Sequence, residues 1–193
     1  TDTAPVRQLG LPVLLALAAG FFLFFNVGAV WTYVERMGAL AQWETQDIGT
    51  GLAVGVAFGI PGALLASWFG NRMGRVLPLT IGATGTIVAL FVLGTEFTII
   101  SFTLAMALYN FVWNFSLAFQ YAAVNAVDDS GRAVAAAPAF HGVGAAVGPA
   151  TVALFVTETD LQVVNIMAAI ATVLSLLLFV VALDMAGKSR SRS

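Results

Sequence analysis

Six long apolar runs dominate the chain, and every charged side chain falls in the short segments between or beyond them. The runs are Leu11–Val34, Ile48–Phe69, Val76–Gly94, Phe97–Ala122, Ala133–Val156 and Leu161–Leu183. None contains Asp, Glu, Lys or Arg, and each has roughly the 20 residues that a helix needs to cross a hydrocarbon core. Period-two alternation of a membrane barrel is absent, which leaves helices as the spanning element. The pattern predicts an all-α integral membrane protein, a six-helix bundle.

Composition agrees with that reading. Hydrophobic residues make up 60% of the 193 positions and charged residues 9%, whereas soluble domains carry about 25% charged residues. One small globule cannot bury such a surplus, so lipid must cover much of it. The first apolar run is too long for a signal-peptide core and lacks a small-residue cleavage site, so it stays in the mature protein. Few basic residues and a net charge of -2 argue against a nucleic-acid partner. The chain has no cysteine, which excludes disulfides and thiolate metal sites.

The distribution of charge sets the expected orientation. Arg7, Arg72, Arg75, Arg132, Lys188, Arg190 and Arg192 fall on one side, and Arg36 alone falls on the other beside Glu35, Glu44, Asp47, Glu96, Glu158 and Asp160. By the positive-inside rule both termini, the second-to-third loop and the fourth-to-fifth loop are cytoplasmic, and a plasma membrane (bacterial inner membrane) is the expected location. Glu35–Asp47 is expected as an outside-facing loop and Lys188–Ser193 as a basic cytoplasmic tail.

Polar residues inside the runs are the candidates for function. At about 100° per residue, Tyr109, Asn110, Trp113, Asn114, Gln120 and Tyr121 share one side of the fourth span. Leu104, Leu108, Phe111, Phe115 and Phe119 take the other side. An amide facing lipid lacks a partner, so the polar stripe should face protein or water. It either lines a substrate cavity, with amides to hydrogen-bond and rings to stack against a solute, or makes interhelical hydrogen bonds. Asn26 on the first span, on one face with Phe22 and Tyr33, admits the same two readings. Gly51, Gly55 and Gly59 on the second span, and Gly144, Gly148 and Pro149 on the fifth, mark faces where helix backbones approach closely. His141 is the only histidine and the one readily titratable side chain within the spans. It is counted with the cavity residues, either as a proton carrier or as a plain hydrogen-bonding group.

Enzymatic readings fail for want of parts. A rhomboid-like serine motif, a His-Glu-x-x-His metal motif and paired Asn-Pro-Ala channel turns are all missing from the six runs. With one histidine and no intramembrane acid, no catalytic, cofactor or metal site is expected.

Two short motifs carry a family resemblance. Ser67-Trp-Phe-Gly-Asn71-Arg72-Met-Gly74-Arg75-Val76 resembles the Gly-x-x-x-Asp-Arg-x-Gly-Arg-basic loop of the major facilitator superfamily, with Arg72, Gly74 and Arg75 matching. Ser67, Asn71 and Val76 depart from it, and Asn71 removes the family's carboxylate. Gly144-Ala-Ala-Val-Gly148-Pro149 is similar to the core of the family's antiporter motif, although Val152 and Ala153 replace its double glycine. The loop Asp128-Asp129-Ser130-Gly131-Arg132 is similar to the connection after the family's tenth helix. The resemblance implies the C-terminal six-helix half of a secondary transporter, with residues 1–10 left from a central linker and 11–187 forming the bundle. It further implies that the first, second, fourth and fifth spans surround a central cavity, and that Asn71, Arg72, Gly74 and Arg75 form a conformational loop. The expected function is alternating-access transport of a small organic solute. Expected partners are membrane lipid, the solute, and an N-terminal six-helix half or a second copy. The alternative is a self-sufficient six-helix protein that acts as a homodimer or a structural membrane partner.

Overall fold

The computed structural model describes residues 10–95, 98–128 and 130–190. Arg7, Glu96, Asp129, Arg192, the side chain of Arg190 and most of the expected linker therefore lie outside the described residues. The described chain is helical, with no strand, and six of its helical segments are long and apolar enough to span a membrane.

The first span is α1 (Leu11–Leu40), opened by Pro12 where a missing N–H costs nothing. The second is α2 (Thr45–Ala57) followed by α3 (Gly59–Phe69) and a single 3-10 turn, Gly70–Met73. Pro61 explains the break at Phe58. It has no N–H to give Ala57, and its ring crowds that carbonyl. The remaining spans are α4 (Val76–Gly94), α5 (Ile99–Val127), α6 (Arg132–Val152) and α7 (Gln162–Arg190).

Several expected boundaries move. Helix α1 runs on to Leu40, so Glu35 and Arg36 are helical and only residues 41–44 form the connection expected over Glu35–Asp47. Charge marks the edge of the hydrocarbon but does not end a helix, because a helix satisfies its own backbone whether lipid or water surrounds it. Helix α7 likewise takes in Lys188 and Ser189, which the sequence assigns to a tail. Helix α6 stops at Val152 rather than Val156, three residues after Pro149.

Packing groups the spans into two sets. Helix α1 packs chiefly against α6 and α7, α5 packs against α2, α3 and α4, and α4 packs against α7. Exchanging the first three spans for the last three leaves this pattern unchanged: first with fifth and sixth, fourth with second and third, third with sixth. Consecutive spans alternate in direction, so the two three-helix units are inverted relative to each other.

Glycine permits the closest approaches. On α6, Gly144 and Gly148 leave no room for a methyl against the carbonyls of Phe21 and Phe25 of α1. Gly28 does the same against the carbonyl of Ala145, which is the carbonyl that Pro149 cannot bond. The proline frees an acceptor and the α1 backbone closes over it, as membrane helices require. On the other side of the bundle Gly62 sits against the carbonyl of Phe111, and Gly51 and Gly55 against Phe102 and Met106. The five glycines expected to mark close helix approaches thus lie at helix crossings: Gly144 and Gly148 against α1, and Gly51, Gly55 and Gly59 against α5.

Candidate functional site

Helix α5 runs through the middle of the bundle, and its polar residues divide between two of its sides. Tyr109 and Gln120 are about 20° apart on the helix wheel and point inward, toward α1, α4 and α7. Asn110 and Asn114 are rotated by about 100° to 140° from Tyr109, toward α3. Trp113 lies between the two groups. The single stripe expected from the sequence is therefore two sites that share a tryptophan.

The inner site is sealed. The Tyr109 hydroxyl donates to Asn26 Oδ1 (3.0 Å), and Asn26 Nδ2 donates to Thr172 Oγ1 (2.8 Å). The Thr172 hydroxyl in turn donates to the Ala168 carbonyl (2.8 Å), and the Ser175 hydroxyl donates to the Ala19 carbonyl (2.8 Å). Asn26, Tyr109 and Thr172 are each no more than 2% exposed. Beside them, Gln120 Nε2 donates to Ser116 Oγ (3.2 Å), while Gln120 Oε1 is buried without a partner among the described residues. The cavity these residues surround is about 20 Å³, room for one water and far too small for an organic solute. Of the two readings open for Asn26 and Tyr109, interhelical hydrogen bonding is the one the geometry realises. Thr172 and Ser175 escape the sequence reading. They sit on the sixth span, expected outside the cavity, and nothing local links Thr172 to an asparagine 146 residues away.

The outer site is an open groove of about 730 Å³ between α1, α2, α3 and α5, lined by Trp31, Gly59, Ile60, Asn110, Trp113 and Asn114 among others. Asn110 lies 11 residues into α5, about 17 Å along the axis, which is mid-depth for a span. Asn110 Nδ2 donates to the Met106 carbonyl (2.9 Å) and Asn114 Nδ2 to the Asn110 carbonyl (2.9 Å). Each amide thus ties up one donor on its own helix, and its oxygen remains an acceptor. Gly59 faces Asn114: a methyl there would come within 2.6 Å of Asn114 Nδ2. Trp31 Nε1 and Trp113 Nε1 are both buried without an acceptor among the described residues. An indole N–H left in this state costs about 1–3 kcal/mol, a deficit that a ligand with acceptor atoms would offset. Trp31 escapes the sequence reading because it carries no amide and lies off the Asn26 face of α1.

His141 belongs to neither site. Its ring stacks on Phe24 (centroids 4.1 Å, planes 9° apart) and meets the edge of Tyr121 at 5.6 Å. A methyl on Gly20 would approach its Nε2 to 2.7 Å. Phe24 also meets Trp113 edge-on at 6.3 Å, so an aromatic ladder runs from the groove across α1 to α6. Phe115 and Phe119, expected opposite the polar stripe, are 3% and 4% exposed and pack inside the bundle rather than against lipid.

At the basic end, Gly70 and Gly74 flank the turn with φ of 51° and 66°, a region that favours glycine. Asn71, Arg72 and Arg75 are exposed, and neither arginine makes an ion pair or hydrogen bond among the described residues. The neighbouring loop carries more side-chain hydrogen bonds. Asp128 accepts hydrogen bonds from Ser130 Oγ (2.6 Å) and from the Ala133 N–H (2.8 Å) at the start of α6. Those bonds, aided by the Arg132 charge, hold its carboxyl below the usual carboxylate range. Among the described residues no cluster of His, Cys, Asp and Glu could hold a metal. No protein-family model, curated protein or solved structure matches this chain.

Proposed function

We propose that the chain moves a polar organic solute across a membrane by alternating access, as one six-helix half of a major facilitator-type secondary transporter. The observation that carries this reading is the groove at mid-membrane depth, whose lining combines Asn110 and Asn114 with Trp31 and Trp113, two tryptophans whose indole N–H groups have no acceptor among the described residues. Such a lining suits a solute with an apolar body and hydrogen-bond acceptors such as carbonyl, hydroxyl or ether oxygens. Aromatic faces supply contact area, and the polar groups supply orientation.

Two further features support it. The inverted pairing of three-helix units matches the internal repeat of that superfamily's halves. Exposed Val56, Ile60 and Leu64 rim the groove, and a second six-helix unit seated there would close it into a central cavity. Glycine crossings between α1 and α6, and between α5 and α2–α3, give smooth surfaces for the rocking that alternates access.

The test is transport by the protein in its native assembly, in proteoliposomes, across a panel of labelled acceptor-bearing organic solutes. For a solute that is carried, Asn114→Ala or Trp31→Phe should raise KM about tenfold, the loss of one well-made hydrogen bond to a desolvated group. Unchanged KM in both variants would remove the groove from the transport path.

A further inference from the structure

A second groove lies away from the solute site, on the outer flank of the bundle between α4 and α7. It has two parts. The first is an apolar slot of about 260 Å³ lined by Ile87, Phe91, Ile166 and Ala169. The second is a polar crevice of about 540 Å³ at the end of the same helices, lined by residues that include Leu40, Thr159 and Asp160. Gly94, Thr95, Gln162 and Asn165 line both, so slot and crevice form one continuous channel.

Depth gives the channel its meaning. Asn165 lies three residues past the start of α7, about 5 Å along the axis, and Ala169 about 11 Å. The polar crevice therefore falls at the membrane interface and the slot runs into the hydrocarbon. Phe91 and Ile166, on the slot wall, are 71% and 57% exposed, and no other part of the described chain covers them. An acyl chain matches the slot and a head group matches the crevice.

The chemistry of the crevice selects the head group. Asn165 is 8% exposed, and its Oδ1 is buried without a partner among the described residues. That oxygen accepts only, so it calls for an N–H or O–H donor. Asp160 adds a negative charge at the crevice wall, and Glu35, Glu44, Asp47 and Glu158 make this end of the bundle acidic. Arg36 is turned to the Thr157 carbonyl (3.3 Å). A primary ammonium offers three donors and a complementary charge. A quaternary choline offers the charge without donors, and a glycerol head group offers donors beneath a net negative charge.

We infer that the α4–α7 channel is a binding site for an aminophospholipid of the phosphatidylethanolamine kind. Its ammonium is held by Asn165 Oδ1 and Asp160, and one acyl chain lies along Ile87, Phe91 and Ile166. The site is independent of the solute groove and stands whether or not the chain transports anything.

Native mass spectrometry of the purified protein tests this. It would be loaded in turn with phosphatidylethanolamine, phosphatidylcholine and phosphatidylglycerol of identical acyl composition. Phosphatidylethanolamine should be retained about tenfold better than either, the discrimination expected of one charge-assisted hydrogen bond. Asn165→Leu should abolish the preference. Should that buried change impair folding, Asp160→Asn, at an exposed position, should reduce the preference on its own. Ile166→Trp, which fills the slot, should lower retention of all three lipids. Equal retention of the three lipids by the unaltered protein would overturn the inference. So would a preference that Asp160→Asn leaves undiminished, or retention that Ile166→Trp leaves unchanged.

Discussion

Tyr109 and Asn110 are neighbours in sequence, both buried on the same helix, yet they serve opposite sides of the molecule. Tyr109 points into a network closed by Asn26 and Thr172, where donors and acceptors meet across three helices. Asn110 looks toward a groove where the polar atoms are only partly satisfied, and by their own helix. The first arrangement fixes α1, α5 and α7 relative to one another. The second leaves hydrogen-bonding capacity unused among the described residues, which the proposed transport of a solute would draw on. A polar residue in a membrane span must be satisfied, and which neighbour satisfies it separates scaffold from site.

The largest effect is expected at Gly62, the crossing that seats α3 on α5 and so builds the groove wall. Gly62→Val would drive a side chain into the Phe111 carbonyl, which belongs to a helix backbone and cannot step aside. Overpacking of this kind costs about 1–3 kcal/mol or more. The folded fraction in a detergent thermal melt should fall sharply. The same change at exposed Gly142, which has nothing within 4 Å, should leave the melt almost unmoved.

A smaller effect sharpens the contrast between the two sides of α5. Asn26→Leu strands the Tyr109 hydroxyl without its acceptor, and interhelical bonds of this type are worth about 0.6–2 kcal/mol in membranes. Asn114→Leu strands nothing, because its amide donates to a carbonyl of its own helix. Melting temperatures should therefore drop for Asn26→Leu and hold for Asn114→Leu, while solute affinity responds in the reverse order. Equal loss of stability in both would erase the distinction between scaffold and site.

What the sequence discloses follows from what is local. Six charge-free runs are visible because the hydrocarbon excludes charge along the whole of each run, so the spans and their number are readable from composition. Helix ends are less so: Glu35 and Arg36 look like a loop by charge, but the α1 backbone satisfies itself through Leu40. The polar stripe on α5 is readable as a stripe, since it needs only the helical repeat. Its division is not, because that depends on α7 supplying Thr172 to one side and on α3 leaving space on the other. Phe115 and Phe119 read only as the side opposite the polar stripe, and their burial depends on the other helices that surround α5. The unpartnered indoles of Trp31 and Trp113 cannot be read at all, since a missing partner is a property of the surroundings.

In the proposed mechanism the Asn110–Asn114 side of α5 meets water and solute while the Tyr109 side is sealed. The chain has no cysteine, so single introduced thiols report without background. Asn114→Cys and Thr172→Cys, each in membrane-embedded protein, would be exposed to a membrane-impermeant aqueous thiol reagent applied in turn to each face of the membrane. The thiol at position 114 should be modified, and a carried solute should protect it, while the thiol at position 172 stays unmodified. Modification at position 172 at a comparable rate, or a thiol at position 114 that stays inert with the reagent on either face, would contradict it.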